Sequence, residues 1–183
     1  MRIIAGIARG RRLGPVPPGT RPVSDRAREG LFSSLGPAVE GAHVLDLYAG
    51  TGALGLEARS RGAASATFVD RDRSATAAIR DNLARTRLEP AEVVTAEVER
   101  FLARTGDPVA PAGLVFLDPP YDLEGPPLDR VLARLGSSAP PAGGRTVVLT
   151  RGNRSSTHVI PIHWALARRL TYGDSLVFLY REV

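Results

Sequence analysis

Residues 43–55, His-Val-Leu-Asp-Leu-Tyr-Ala-Gly-Thr-Gly-Ala-Leu-Gly, decide the fold of this chain. A short apolar run ends there at three closely spaced glycines, and a helical pattern follows. This order predicts a buried strand that enters a tight strand-to-helix loop. Because glycine has no Cβ, the backbone of such a loop can approach a ligand closely. The spacing of Gly50, Gly52 and Gly55 also fits a dinucleotide fingerprint, so the glycines alone do not identify the ligand.

Asp46 distinguishes between two kinds of ligand for this loop. It lies near the end of the strand, four residues before Gly50. A carboxylate there would repel a pyrophosphate held at the N-terminus of the following helix. S-adenosylmethionine carries no phosphate and has a cationic sulfonium and an ammonium group, so the same carboxylate would favour it. The stretch therefore favours a methyl donor, and its expected cofactor contacts are Asp46, Tyr48, Gly50 and Gly52.

Strands and helices alternate along the rest of the chain. Apolar runs predict strands near residues 43–48, 66–70, 92–96, 113–118, 145–150, 164–172 and 175–181, the last two joined by a Gly173-Asp174 turn. Periodic apolar positions predict helices between the strands, including one that carries Leu128, Val131, Leu132 and Leu135 on one face. The alternation predicts a mostly parallel, seven-stranded α/β sheet with helices on both faces and a C-terminal antiparallel hairpin.

Three further acids follow predicted strands: Asp70, Glu97 and Asp118. The carboxyl ends of parallel strands lie at one edge of the sheet, where open α/β sheets bind their ligands. Asp70 comes 20 residues after Gly50, a position from which an acid can hold a ribose diol. Together with Asp46, these acids predict a cofactor crevice, with Asp70 and Glu97 among the cofactor contacts.

The residues Asp118-Pro119-Pro120-Tyr121 directly follow a buried strand and predict the chemistry. The two prolines fix a rigid corner and carry no backbone N–H. The Asp118 carboxylate and the Pro119 carbonyl are therefore two acceptors that could hold both hydrogens of an exocyclic NH₂ and direct its lone pair at an electrophile. Tyr121 offers a flat face to a base taken out of its stack. We expect Asp118, Pro119 and Tyr121 to be catalytic and Pro120 to contact the substrate.

The net charge is concentrated at the N-terminus. All 24 basic residues are arginine; residues 1–30 contain seven of them against two acids, and the remaining residues carry 17 arginines and 17 acids. Because arginine pairs bidentately with phosphate, this basic segment predicts a polyanionic partner. Residues 1–23 look like an extended or hairpin-like arm, with a solvated, poorly ordered tail as the alternative. Ser24 could cap a helix that runs from there to about Leu35.

Composition excludes other kinds of site. The chain has no cysteine and only three histidines, so disulfides and thiolate metal sites are excluded and we expect no metal. No segment is long and apolar enough to cross a membrane, and no apolar signal core follows Met1. We therefore expect a cytoplasmic protein.

Motifs of one known family extend along the chain: Arg2–Gly6, Arg9–Arg11, Arg21-Pro22, Asp25-Arg26-x-Arg28-Glu29-x-x-Phe32, Leu45–Glu57, Ser60–Ala63, Asn82-Leu83 and Asp118–Tyr121. With these residues the sequence resembles the RsmD-type 16S ribosomal RNA guanine-N2 methyltransferases over almost its whole length. Many methyltransferases share the glycine loop, whereas the arm motif joined to Asp-Pro-Pro-Tyr is specific. One departure concerns Thr150, which stands where an acid usually ends the fifth strand.

The resemblance implies a class I (Rossmann-like) methyltransferase fold, S-adenosylmethionine as cofactor and methylation of one guanine N2 in 16S rRNA. It implies an RNA-binding arm and helix in residues 1–36 and a methyltransferase domain in residues 37–183. The partner would be rRNA within an assembling small subunit, and the enzyme a monomer. The arginines implied to face RNA are Arg9, Arg11, Arg21, Arg26 and Arg28, although Arg26 or Arg28 could instead pair with Glu29.

Other functions stay open from the sequence. The same corner would serve a DNA adenine or cytosine amino-methyltransferase, although no long insertion is present to recognise a DNA sequence. A protein-glutamine methyltransferase would not explain the basic arm. An NAD-dependent oxidoreductase would need a substrate domain for which 183 residues leave little room. A non-catalytic RNA-binding module would not need an intact Asp46, glycine loop and Asp118 corner.

Overall fold

The computed structural model describes residues 1–16, 23–120, 122–153, 155 and 158–182. Its strands are β1 (His43–Leu47), β2 (Ser65–Asp70), β3 (Ala91–Thr95), β4 (Leu114–Leu117), β5 (Arg145–Gly152), β6 (Trp164–Tyr172) and β7 (Ser175–Glu182). Its helices are α1 (Asp25–Leu35), α2 (Ala53–Ser60), α3 (Arg73–Thr86), α4 (Val98–Leu102) and α5 (Pro126–Gly136). Each predicted strand is present, with small differences at its ends.

The seven strands form one sheet in the order β3-β2-β1-β4-β5-β7-β6. Strands β1 to β5 pair in parallel, whereas β7 is antiparallel to both β5 and β6. The predicted mostly parallel sheet with a C-terminal antiparallel hairpin is therefore confirmed. Because the strand order reverses between β1 and β4, a crevice lies at the carboxyl ends of these two strands.

Side chains of the strands alternate between two apolar cores, one on each face of the sheet. Val44 of β1 packs in the core that contains α1, α2 and α3, whereas Leu45 and Leu47 pack in the core that contains α4 and α5. In α5 the buried residues are the four predicted from their spacing, Leu128, Val131, Leu132 and Leu135. Helix α1 begins as predicted, because Ser24 Oγ accepts a hydrogen bond from Ala27 N–H at 3.2 Å.

Residues 1–16 form a hairpin. Arg2 and Arg12 form an antiparallel bridge, and Gly10 N–H donates to Ile3 O at 2.9 Å. Ile3 is fully buried in the first core, whereas Ile7 near the hairpin turn is 83% exposed. The hairpin-like arm predicted from the sequence is present, and its packing excludes a poorly ordered tail over these residues.

Polar side chains of α2 hold the arm against the sheet domain. The fully buried Glu57 carboxylate accepts hydrogen bonds from Ile4 N–H at 2.8 Å and from Ala5 N–H at 3.0 Å. Ser60 Oγ accepts a hydrogen bond from Ala8 N–H at 3.0 Å. The arm is therefore docked on the helix that directly follows the glycine loop.

Candidate active site

Two carboxylates fix the glycine loop between β1 and α2. Asp46 Oδ2 accepts a hydrogen bond from Gly55 N–H, and Asp70 Oδ2 accepts one from Gly50 N–H, each at 2.9 Å. Tyr48 and Gly50 have φ angles of 59° and 55°, so the chain turns sharply as it leaves β1. The predicted strand-to-helix turn is present, and the acids at the ends of β1 and β2 determine its shape.

Gly52 packs against the core and is not among the described residues that line the neighbouring cavity. A Cβ on Gly52 would lie 3.2 Å from both Phe68 and Ile79, and the φ of Gly52 is +74°. The backbone conformation therefore favours glycine here, and the packing leaves little room for a side chain. The structure thus gives Gly52 a role in shaping the loop, and its contact with the cofactor stays a prediction.

Asn82 joins the glycine loop to the arm. Its side chain is fully buried in α3; Nδ2 donates to Thr51 O at 3.0 Å, and Oδ1 accepts from Gly14 N–H at 2.7 Å. In the sequence Asn82 is only part of a family motif. Its two partners lie 31 and 68 positions away, so no local pattern could have revealed this contact.

A cavity of about 570 Å³ lies beside the loop at the carboxyl edge of the sheet. We call it the acidic cavity; the residues that line it include Asp46, Tyr48, Gly50, Asp70, Asp72, Glu97, Glu99 and Asp118. The one arginine among its described lining residues is Arg71, whose Nη1 lies 3.6 Å from Glu97 Oε1. Six carboxyl groups against one guanidinium favour a cationic ligand and oppose a pyrophosphate.

A second cavity, of about 630 Å³, lies between the start of α1 and the turn that joins β6 to β7. We call it the hairpin cavity; it is lined by Val23, Ser24, Arg26, Ala27, Asp118, Thr150, residues 171–175 and Val177. Asp118 and Val23 line both cavities. A group bound in the hairpin cavity and a group bound in the acidic cavity would therefore meet at Asp118.

The electrostatic environment of Asp118 is unusual for a carboxyl group. Burial raises the pKa of Asp118 to about 6, although a hydrogen bond with the Thr150 side chain opposes the rise. Burial also raises the pKa of Asp46 well above its ordinary value; the Gly55 N–H opposes this, and the nearby Asp118 adds to it. Thr150 thus gives Asp118 a neutral hydrogen-bond partner, where an acid would have added a further negative charge.

The two consecutive prolines of the corner after β4 differ in exposure. Pro119 is buried, Pro120 is exposed, and both line the acidic cavity. Leu123 N–H donates to Pro120 O at 3.0 Å, which closes a turn directly after the corner. Tyr121 lies outside the described residues, so its stacking on a base stays a prediction.

The arginines expected to face RNA have different environments. Arg9 and Arg26 are exposed, and neither side chain forms an ion pair or hydrogen bond with the described part of the chain. Arg11 is also exposed, and its Nη1 donates to Thr86 O at 2.5 Å. Arg21 lies outside the described residues.

The prediction that Arg28 faces RNA is wrong. The Arg28 side chain is 0% exposed, because it lies on the face of α1 that packs against the arm and α2. Its Nη2 donates to Asp25 Oδ1 at 2.6 Å and to Arg2 O at 2.7 Å, and its Nη1 lies 3.7 Å from Glu57 Oε2. Its ion-pair partners are thus Asp25 and Glu57 rather than Glu29.

Neither a membrane span nor a metal cluster is found in the ranges that the structure describes. No helix there is both long enough and apolar enough to cross a membrane. No group of three or more His, Cys, Asp or Glu side chains there could hold a metal ion.

The strand order, the antiparallel β7 between β5 and β6, and the acidic cavity beside a glycine loop define a class I methyltransferase. The model of the family described as Conserved hypothetical protein 95 matches residues 1–181. The chain belongs to this family, and the resemblance to RsmD-type enzymes is confirmed.

Relatives and solved structures extend over the full chain. The chain is 38% identical over 184 residues to Ribosomal RNA small subunit methyltransferase D of Escherichia coli strain K12, covering 100% of this chain and 90% of the relative. The solved structure of the Escherichia coli protein yhhF has a TM-score of 0.84 at 37% identity, covering 100% of this chain and 97% of that one. A hypothetical protein of Thermus thermophilus has a TM-score of 0.82 at 32% identity, covering 100% and 99%.

Proposed function

We propose that the protein transfers a methyl group from S-adenosylmethionine to the exocyclic N2 amine of a guanine in 16S rRNA. The observation that carries this proposal is the position of Asp118, which lines both the acidic cavity and the hairpin cavity. A cationic methyl donor in the first and a base amine in the second would meet at its carboxylate. The name of the Escherichia coli relative supports ribosomal RNA as the substrate class.

S-adenosylmethionine suits the charge and shape of the acidic cavity. Its two cationic groups would lie among carboxylates, with Asp46 nearest the glycine loop and Tyr48 and Gly50 forming part of the wall. Asp70 would hold the ribose diol and Glu97 would face the adenosine side. The cofactor supplies an electrophilic methyl group with a neutral leaving group, so the transfer requires no metal.

The guanine amine would be held by the Asp118 carboxylate and the Pro119 carbonyl. An amine on an aromatic ring is a poor nucleophile because its lone pair is delocalised. Two acceptors that bind both N–H groups direct the lone pair toward the methyl group. As the N–CH₃ bond forms, the amine loses one proton, and a carboxylate with a pKa of about 6 can accept it near neutral pH.

This role of Asp118 predicts a pH dependence. A carboxylate accepts hydrogen bonds and protons, whereas the protonated acid does neither well. An acid with a pKa of about 6 is mostly ionised above that pH, so we expect kcat/KM to be flat above it and to fall up to tenfold per unit below it. Initial rates from about pH 5 to 8 measure this profile. The residual activity of Asp118→Asn should lack the acidic limb, and an inflection near pH 4, as for an ordinary Asp, would contradict the assignment.

The arm would supply affinity for the RNA backbone. Residues 1–36 would bind RNA and residues 37–183 would carry the transferase site. Arg9, Arg11 and Arg26 are exposed on the described part of this segment, so their guanidinium groups can reach phosphates. Because the arm is docked on α2, it would present these charges as part of the same rigid body as the cavities.

Neutralising Arg9 and Arg11 together, each as Arg→Gln, should weaken RNA binding. The slope of log K against log salt concentration should become shallower by about 1 to 2, since two phosphate contacts are lost. Filter binding or fluorescence anisotropy across a salt series measures this slope. Arg104→Gln is the matched control, because Arg104 is exposed beside Phe101 in the core on the other face of the sheet. An unchanged slope in the double variant would mean that the two arginines are merely solvated.

The proposed reaction is tested by labelling. Tritiated S-adenosylmethionine is incubated with the protein and, in parallel, with protein-free 16S rRNA, partly assembled small subunits and duplex DNA. Nucleoside analysis should recover the label as N2-methylguanosine from an RNA sample. Label only in DNA would favour a DNA amino-methyltransferase, and cofactor binding without any transfer would favour a non-catalytic RNA-binding module.

We further propose that the enzyme acts as a monomer in the cytoplasm on an assembling small subunit. The basic arm and a single site that contains both cavities support a small enzyme that docks on a large RNA. Stronger labelling of partly assembled subunits than of free rRNA would support this substrate. Light scattering of the purified protein measures the oligomeric state.

A further inference from the structure

Arg26 is a charged side chain on the wall of the hairpin cavity. It lines the same cavity as Asp118 and Thr150. Its neighbour Asp25 binds Arg28 at 2.6 Å, and no ion pair joins Arg26 to Glu29 within the described ranges. A guanidinium in the first turn of a helix also lies beside the positive end of the helix dipole, which is unfavourable unless the guanidinium binds an acceptor.

The polar groups of this cavity complement guanine in particular. The Asp118 carboxylate is an acceptor, and guanine presents its N2 and N1 hydrogens on one edge. The Hoogsteen edge of guanine carries two acceptors, O6 and N7. The bidentate guanidinium of arginine is their commonest specific partner. The hairpin cavity thus offers an acceptor in Asp118 and a donor in Arg26, whose guanidinium has no ion-pair or hydrogen-bond partner among the described residues.

We infer that Arg26 binds O6 and N7 of the target guanine and determines the base specificity of methylation. This inference rests on the proposed function and adds a contact to the base itself, distinct from the phosphate contacts of the arm. Arg26 does not take part in the transfer. It holds the base in the orientation that brings N2 to Asp118 and disfavours purines that carry a donor at position 6.

A base analogue tests this contact. In 2,6-diaminopurine the N2 amine is kept, but O6 is replaced by an amine, so two donors would face each other at Arg26. N1 also loses its hydrogen, and this change is the same whichever residue stands at position 26. Glutamine, by contrast, can accept from the 6-amine and donate to N7. The preference between guanine and diaminopurine should therefore respond to the residue at position 26, even though the reacting amine is the same.

The experiment uses 16S rRNA ligated from a transcript and a synthetic segment that carries either guanine or 2,6-diaminopurine at the methylated position, assembled into subunits where activity requires it. We expect the Arg26 contact to contribute roughly 5- to 150-fold to the preference of wild-type kcat/KM for guanine, as for one bidentate base contact. Arg26→Met should reduce the ratio by this factor, and Arg26→Gln should reduce it further; a preference that remains in both variants reflects the change at N1. Arg9→Gln is the control and should lower both rates equally.

The outcomes separate this inference from the proposed function. If the Arg26→Gln and Arg26→Met variants keep the wild-type ratio and lower both rates together, Arg26 contacts phosphate only, and the inference is overturned while the methylation stands. If the wild-type protein forms no N2-methylguanosine on any RNA, the proposed function fails and the inference with it. Thermal melting of each variant confirms folding, which is expected because Arg26 is exposed.

Discussion

Replacing Asp118 by alanine should lower kcat by roughly 10³-fold or more while leaving the affinity for S-adenosylhomocysteine almost unchanged. The variant loses the acceptor that orients the base amine and takes up its proton. The acidic cavity keeps its other five carboxyl groups, so binding of a cationic cofactor persists. Single-turnover transfer and calorimetric titration of the cofactor product measure the two quantities separately.

Asp122→Ala is the matched control, because Asp122 lies in the exposed loop directly after the corner. Its kcat should stay within about twofold of the wild-type value. A loss of cofactor affinity in Asp118→Ala comparable to its loss of turnover would assign Asp118 to the cofactor site and remove it from the chemistry.

The second large effect concerns stability. Glu57→Ala should lower the free energy of unfolding by about 3–5 kcal/mol, because it leaves the buried Arg28 guanidinium with one carboxylate partner fewer. It also leaves Ile4 N–H and Ala5 N–H without their acceptor. Urea denaturation measures the loss, and trypsin should cleave the arm of the variant faster because the hairpin is no longer held to α2.

Glu40→Ala serves as the comparison, since Glu40 is an exposed acid in the loop before β1. Its unfolding free energy should change by less than about 0.5 kcal/mol. Equal stability of the Glu57 and Glu40 variants would show that the arm is held by its apolar contacts alone.

Local patterns predicted the elements that form the site. The apolar run before Gly50 fixed β1 and its loop, and the spacing of Leu128 and Leu135 identified the buried face of α5. Both predictions follow from the spacing of apolar residues, which indicates which residues of a short segment are buried. The prediction that Asp46, Asp70 and Asp118 lie at one edge of the sheet rested on their positions near strand ends, because parallel strands bring their carboxyl ends together.

Contacts between distant segments could not be predicted in this way. A count of charges does not distinguish among the arginines of residues 1–30. Arg28 nevertheless lies on the buried face of α1, where Glu57 neutralises part of its charge. Asn82 and Thr150 are ordinary polar residues in the sequence, and their partners become evident only when α3 meets the arm and β5 meets β4. Gly52 matches a ligand-binding spacing, yet its neighbours are Phe68 and Ile79.

The docking of the arm also has a consequence for protein synthesis. Residues 4–14 leave the ribosome before their partners Glu57, Ser60 and Asn82, which follow 52 to 68 positions later. At about 5–20 residues per second, roughly 3–14 seconds pass before these partners exist. During that interval the nascent chain carries an undocked polycation next to the RNA-rich surface of its own ribosome. Completion of α2 and α3 therefore marks the point at which the arginines of the arm take up fixed positions.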